Sequence, residues 1–158
     1  MESLENFFKV VWFYVCVCFK KYFDFKGRAR RKEYWSFAVF TFLAGRLFNF
    51  VFDLTGFEFI VYLAMLFNVG TIVPLWAVAF RRLHDIGYSG KYGVGAIVMF
   101  FVLIGIGSAF LYYQSEIIGS FICLVAILAF LVAYFYYFLK DSEPGENQWG
   151  ANPKEFEN

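Results

Sequence analysis

Four long apolar runs, 34–54, 59–80, 92–113 and 117–139, dominate the chain and are separated by short polar interruptions. Each is long enough to cross a hydrocarbon core about 30 Å thick, which takes about 20 helical residues at roughly 1.5 Å apiece. The runs lack the period-two alternation of a barrel strand, and a helix satisfies its own backbone in lipid. The pattern therefore predicts an all-α membrane protein, an antiparallel bundle of four transmembrane helices in one integral domain, with a polar tail over 140–158. An earlier apolar stretch, Val10 to Phe19, lies between Lys9 and the pair Lys20, Lys21 and is only about half the length of a span. Glu2 and Glu5 occupy the place where a secretory signal carries basic residues. The stretch predicts an N-terminal interfacial amphipathic helix over 4–23, its lysines at the headgroups and Trp12 and Tyr14 at the boundary. Because the run is nearly apolar all round, a helix dipping into the core is the other reading.

Composition sharpens this picture. With 24 Phe, 11 Tyr and four Trp in 158 residues, 61% hydrophobic and 17% charged, the chain departs from the soluble mixture of about a quarter charged residues. The net charge of +1 conceals a segregation: of 14 Lys and Arg, every one but Arg46 lies before the first span, between the second and third, or after the fourth. The other connectors carry only Glu58 and Glu116 near their ends. The positive-inside bias then predicts cytoplasmic N- and C-termini and a cytoplasmic central loop. The expected protein is multi-pass, with both termini on the cytoplasmic side of its membrane.

Three polar stretches share that predicted cytoplasmic side: FKGRARRKEYW (Phe25 to Trp35), RRLHDIGYSG (Arg81 to Gly90) and PGENQWGANP (Pro144 to Pro153). In the central stretch, Gly87, Ser89 and Gly90 suit a chain reversal, and Arg81 and Arg82 suit the negative end of a helix dipole. Those roles leave His84 and Asp85 unexplained. A carboxylate here has a job in pairing with an arginine of the same stretch or of the Arg28, Arg30, Arg31 group, tying loops together. The rival readings are a ligand site made of Arg28, Arg31, Arg81, Arg82, His84, Asp85 and Ser89, or a general base at His84 acting on a lipid-linked substrate. No nucleophile motif accompanies the histidine. The basic cluster Lys26 to Lys32 reads as the topogenic anchor of the first span and, compatibly, as a contact for anionic headgroups.

The spacing FxGRxxRxxYW, then RRLHDxGxSG, then GxNxWG with a following proline resembles the bacterial domain of unknown function 805 family. Trp149 stands where that pattern has a tyrosine. The resemblance covers nearly the whole chain and implies a small inner-membrane protein; it implies no mechanism.

Within the first span, Arg46, Asn49 and Asp53 follow one another at i, i+3 and i+7 and share a helical face. Charge at depth is costly, so the stripe is expected to turn inward, with Arg46 matched by Asp53, Glu58 or Glu116. Asn68, Thr71 and the carbonyl of Gly70 freed by Pro74 extend the expected polar interior. Gly105 with Ala109, and Ala129 with Ala133, are the expected close-packing pairs. Cys16, Cys18 and Cys123, with one histidine, supply no spaced ligand set, so neither metal nor cofactor is expected. Expected partners are membrane lipids with anionic headgroups and a second copy or another membrane protein; nucleic acid is not expected. The functional expectation is a non-catalytic structural, scaffolding or regulatory component. The alternatives are a small transporter or oligomeric channel using the Arg46 stripe, and an enzyme acting on lipid-linked substrates.

Overall fold

The computed structural model describes residues 2–113 and 116–155. Five helices follow one another: α1 (Glu2–Lys20), α2 (Arg31–Thr55), α3 (Glu58–Asp85), α4 (Gly90–Tyr113) and α5 (Glu116–Leu139). The described residues contain no strand beyond an isolated bridge between Asn147 and Gly150. Helices α2 to α5 are long and apolar enough to span a membrane; α1 is not among them. α2 pairs with α3 and α4 with α5, as two antiparallel hairpins. The start of α2, the end of α3 and the end of α5 meet at one end of the bundle, where Arg28 bonds Asp85 and Arg31 bonds the Leu139 carbonyl. This is the basic end.

α3 runs past its apolar stretch, so that RRLHD forms its last turns rather than a loop. The helix continues because the polar side chains there are buried and partnered. The reversal follows at Gly87, whose φ of +87° belongs to the left-handed region that glycine enters without strain. Inside α3, Pro74 has no N–H to give the Gly70 carbonyl; Tyr22 Oη donates to that carbonyl instead, at 2.7 Å.

The expected surface helix is docked. Val15 and Cys18 of α1 are buried with Ala29, Tyr34, Phe37 and Val78, while Phe7, Phe8, Trp12 and Phe13 on its other faces stay exposed. Near-uniform apolarity allows this division, because one edge enters the protein and the rest remains available to lipid.

The close approach of α4 and α5 also falls elsewhere than expected. Gly105, Ala109 and Ala129 are exposed, whereas Gly107, Gly119 and Ala126 are buried. A Cβ on Gly119 would lie 2.8 Å from the Gly107 carbonyl oxygen, and one on Gly107 3.2 Å from that of Gly119. The reciprocal glycines set this contact. At the basic end, a Cβ on Gly93 would lie 2.7 Å from Leu83 Cδ1, which places the start of α4 hard against α3.

The polar stripe of α2 does not turn inward. Arg46, Asn49 and Asp53 are exposed, and none has a side-chain hydrogen bond or ion pair among the described residues. The reason is rotational: Phe37, Phe40 and Phe48 take the faces toward α1 and α3, which leaves the stripe on the far side. Asn68 is likewise exposed, and buried Thr71 spends its hydroxyl on the Phe67 carbonyl at 2.9 Å.

Candidate functional site

Three polar segments meet at the basic end and bury their charges there. Asp85, at the end of α3, is fully buried and sits between two guanidinium groups: Arg28 Nε lies 3.1 Å from Oδ1, and Arg82 Nη1 lies 2.6 Å from Oδ2. Ser142 Oγ donates to Oδ2 at 2.6 Å. Both carboxylate oxygens are therefore occupied, each by a charge-assisted bond of short to ordinary length.

Arg28 ties its own segment to the other two. Beyond Asp85, its Nη1 donates to the Gly145 carbonyl at 2.7 Å and its Nη2 to the Glu143 carbonyl at 2.5 Å. The planar fork of a guanidinium suits such simultaneous bonds in a way an ammonium does not. The tail returns the contact through Glu143 N–H, which donates to the Asp85 carbonyl at 2.8 Å, and Asn147 Nδ2, which donates to the His84 carbonyl at 3.0 Å.

A second buried pair lies alongside. Arg81 Nη2 is 2.7 Å from Glu33 Oε1, and Arg81 also donates to the carbonyls of Lys21 and Asp24 just past α1. Arg82 donates to the Lys140 carbonyl just past α5. The buried guanidinium groups of Arg28, Arg81 and Arg82 outnumber the buried carboxylates of Glu33 and Asp85. The excess positive charge is spread over carbonyls at helix C-terminal ends, where the last turn has no internal partners and the dipole favours cations. Arg81 Nε and Arg82 Nε stay buried without a hydrogen-bond partner.

His84 is buried. Its Nδ1–H donates to the Gly27 carbonyl at 3.1 Å, and the Trp149 ring stacks on it at 4.6 Å with 5° between planes. Gly27 presents that carbonyl from a φ of +77°. Arg31 sits outside on an exposed rim, where it donates to Leu139 O and faces Asp141 at 3.3 Å. Asp141 is held below the ordinary carboxylate range, first by its bond from Lys154 and then by the Ser142 N–H. Ser89 does not join the network; its hydroxyl accepts the Lys91 N–H at 3.4 Å at the start of α4.

The structure thus brings together Arg28, Arg82, Asp85 and, through stacking, His84, with Arg81 on the neighbouring pair, Arg31 on the rim and Ser89 apart. Sequence reasoning missed Glu33, which passes for a first-turn acid in a basic run, and Ser142, Glu143 and Asn147, which pass for ordinary turn residues. Below the site, Tyr34 and Tyr134 share a hydroxyl bond of 2.6 Å, and Trp35 Nε1 donates to Phe138 O at 3.2 Å, fastening α2 to α5. Among the described residues no group of His, Cys, Asp and Glu has a metal-binding arrangement.

Comparison with known proteins places the chain in a family. The profile described as "Protein of unknown function (DUF805)" matches residues 22–151, a range that contains the three meeting segments. Inner membrane protein YhaI of Escherichia coli K12 is 33% identical over 135 residues, covering 85% of this chain and 90% of its own. Inner membrane protein YhaH of the same organism is 32% identical over 140 residues, covering 85% and 91%. No solved structure matches. The chain belongs to the DUF805 family.

Proposed function

We propose that this DUF805 chain is a non-catalytic structural component of the bacterial inner membrane, with its basic end in the cytoplasm as a rigid platform. The inner-membrane location follows the names of the relatives YhaI and YhaH. The orientation follows the segregation of Lys and Arg at that end.

One observation carries the non-catalytic reading. Both oxygens of Asp85 are spent within the protein, and His84 is buried, its Nδ1–H given to the Gly27 carbonyl and one ring face stacked against Trp149. A general base needs its reactive atom within reach of a substrate proton. These groups instead join loops. The rim of Lys20, Lys21, Lys26, Lys91 and Lys140 is exposed and suits anionic headgroups around the platform, each cation contributing about 1 kcal/mol near such a surface.

His84→Gln keeps a side chain able to bond the Gly27 carbonyl and cannot titrate near neutrality. In cells lacking the native gene, this variant is expected to insert, to restore whatever phenotype the deletion causes and to leave the lipid profile as in the parent. A folded His84→Gln protein that fails to complement, with a lipid-linked compound accumulating, overturns the structural reading in favour of an enzyme. Reporter fusions at residue 158 and in the turn after α3 are expected to signal a cytoplasmic position only.

A further inference from the structure

Along α2, the positions Arg31, Trp35, Ala38, Phe42, Arg46, Asn49 and Asp53 recur at spacings of three and four and form one seam. The basic end of this seam is occupied by α5: Arg31 donates to Leu139 O, Trp35 Nε1 donates to Phe138 O, and the Trp35 ring stacks on Phe135. Farther along, Phe42, Arg46, Asn49 and Asp53 are exposed. Arg46 lies about 13 Å from the Thr55 end of the helix by a rise of 1.5 Å per residue. Its Cα–Cβ bond tilts toward the helix N-terminus, so the side chain starts off away from the nearer boundary. Lipid hydrocarbon offers these groups nothing to bond.

The other charged groups on this half of the molecule are Glu58 and Glu116, at the starts of α3 and α5, and among the described residues neither is bonded to Arg46. Between Lys91 and Glu116, and from Ile117 to Leu139, neither α4 nor α5 has a charged residue. A group that can bond both the cation and the anion at this depth is an amide set between them, and the same stripe on another copy offers it as Asn49.

We propose that the chain forms a two-fold dimer through the open part of the α2 seam, with the axis along the membrane normal and the two α2 helices parallel. Such an interface is isologous, so same-numbered residues lie level with each other. The amide of Asn49 from one copy then falls between Arg46 and Asp53 of the other. Its Oδ1 accepts from Arg46 and its Nδ2 donates to Asp53, and the symmetric set does the same in reverse. All six polar groups are used, and the net charge of the interface is zero. Gly45 beside the stripe leaves room for close approach, since a Cβ there would meet nothing within 4 Å.

The test uses the fluorescently labelled full-length chain at low density in vesicles of phosphatidylethanolamine and phosphatidylglycerol, with subunits counted by photobleaching. The native chain is expected to bleach in pairs, and Asn49→Leu to weaken the pairing about tenfold. Arg46→Asp and Asp53→Arg are each expected to weaken pairing, and the double exchange to restore it, because the amide accepts the reversed order equally well. A Phe42→Cys variant is expected to cross-link between copies, and an Ile72→Cys variant on α3 not to. Single-subunit bleaching of the native chain at every density overturns the proposal, as does pairing indifferent to the Asn49 and exchange variants. Failure of Asn49→Leu to insert leaves the native count and the exchange pair to decide.

Discussion

At the scale of single residues, burial rather than residue type decides what each polar group does. Cys18 illustrates this: burial first and the Glu33 carboxylate second push its thiol up to about 12. An ordinary cysteine titrates near 8.5 and reacts as its thiolate. In a Cys16→Ser/Cys123→Ser variant, Cys18 is expected to resist maleimide up to about pH 9 and to react once the protein is denatured, because the folded thiol stays protonated and enclosed. Labelling of the folded variant at the rate of a free thiol contradicts this. Two neighbouring carboxylates show how far such roles could be read beforehand. Asp85 invites an ion-pair reading because it interrupts a cationic stretch where topology alone asks for positive charge. Glu33 in the first turn of α2 already has a helix-dipole explanation, so nothing in the chain order points to Arg81, which meets it from 48 residues away.

At the scale of elements, the spans were legible from apolar length, but their rotation was not. α4 and α5 are apolar nearly all round, and such a helix gives no periodic signal of which edge meets a neighbour. For that reason small residues at i, i+4 suggested Gly105 and Ala109, while the contact forms at Gly107 and Gly119. The Arg46 stripe carries the same lesson, since spacing put its residues on one face without saying where that face points. Gly119→Val sets a side chain against the backbone of α4, which has no flexible end to move aside. It is expected to cost about 1–3 kcal/mol, the usual range for overpacking, whereas Gly105→Ala projects into open space and is expected to be neutral or slightly stabilising. Thermal unfolding of the two variants in the same detergent separates them; equal melting temperatures contradict the placement of the α4–α5 contact.

At the scale of the whole molecule, the hairpins α2–α3 and α4–α5 are joined chiefly at the basic end, where the tail folds back and Trp149 covers His84. Trp149 is seated there by stacking on the His84 ring. The bonds from Arg28 to Glu143 O and Gly145 O reach across more than 100 residues and have no local signature. The central claim is that Arg28 and Asp85 hold segments together as a unit, and a double-mutant cycle in lipid nanodiscs measures this directly. Asp85→Asn leaves Arg28 and Arg82 without their buried carboxylate and is expected to cost about 3–5 kcal/mol. Arg28→Gln is expected to cost a similar amount, and the double variant about 2–3 kcal/mol less than the sum of the two, a coupling between positions 57 residues apart. Additivity within about 0.5 kcal/mol contradicts the account.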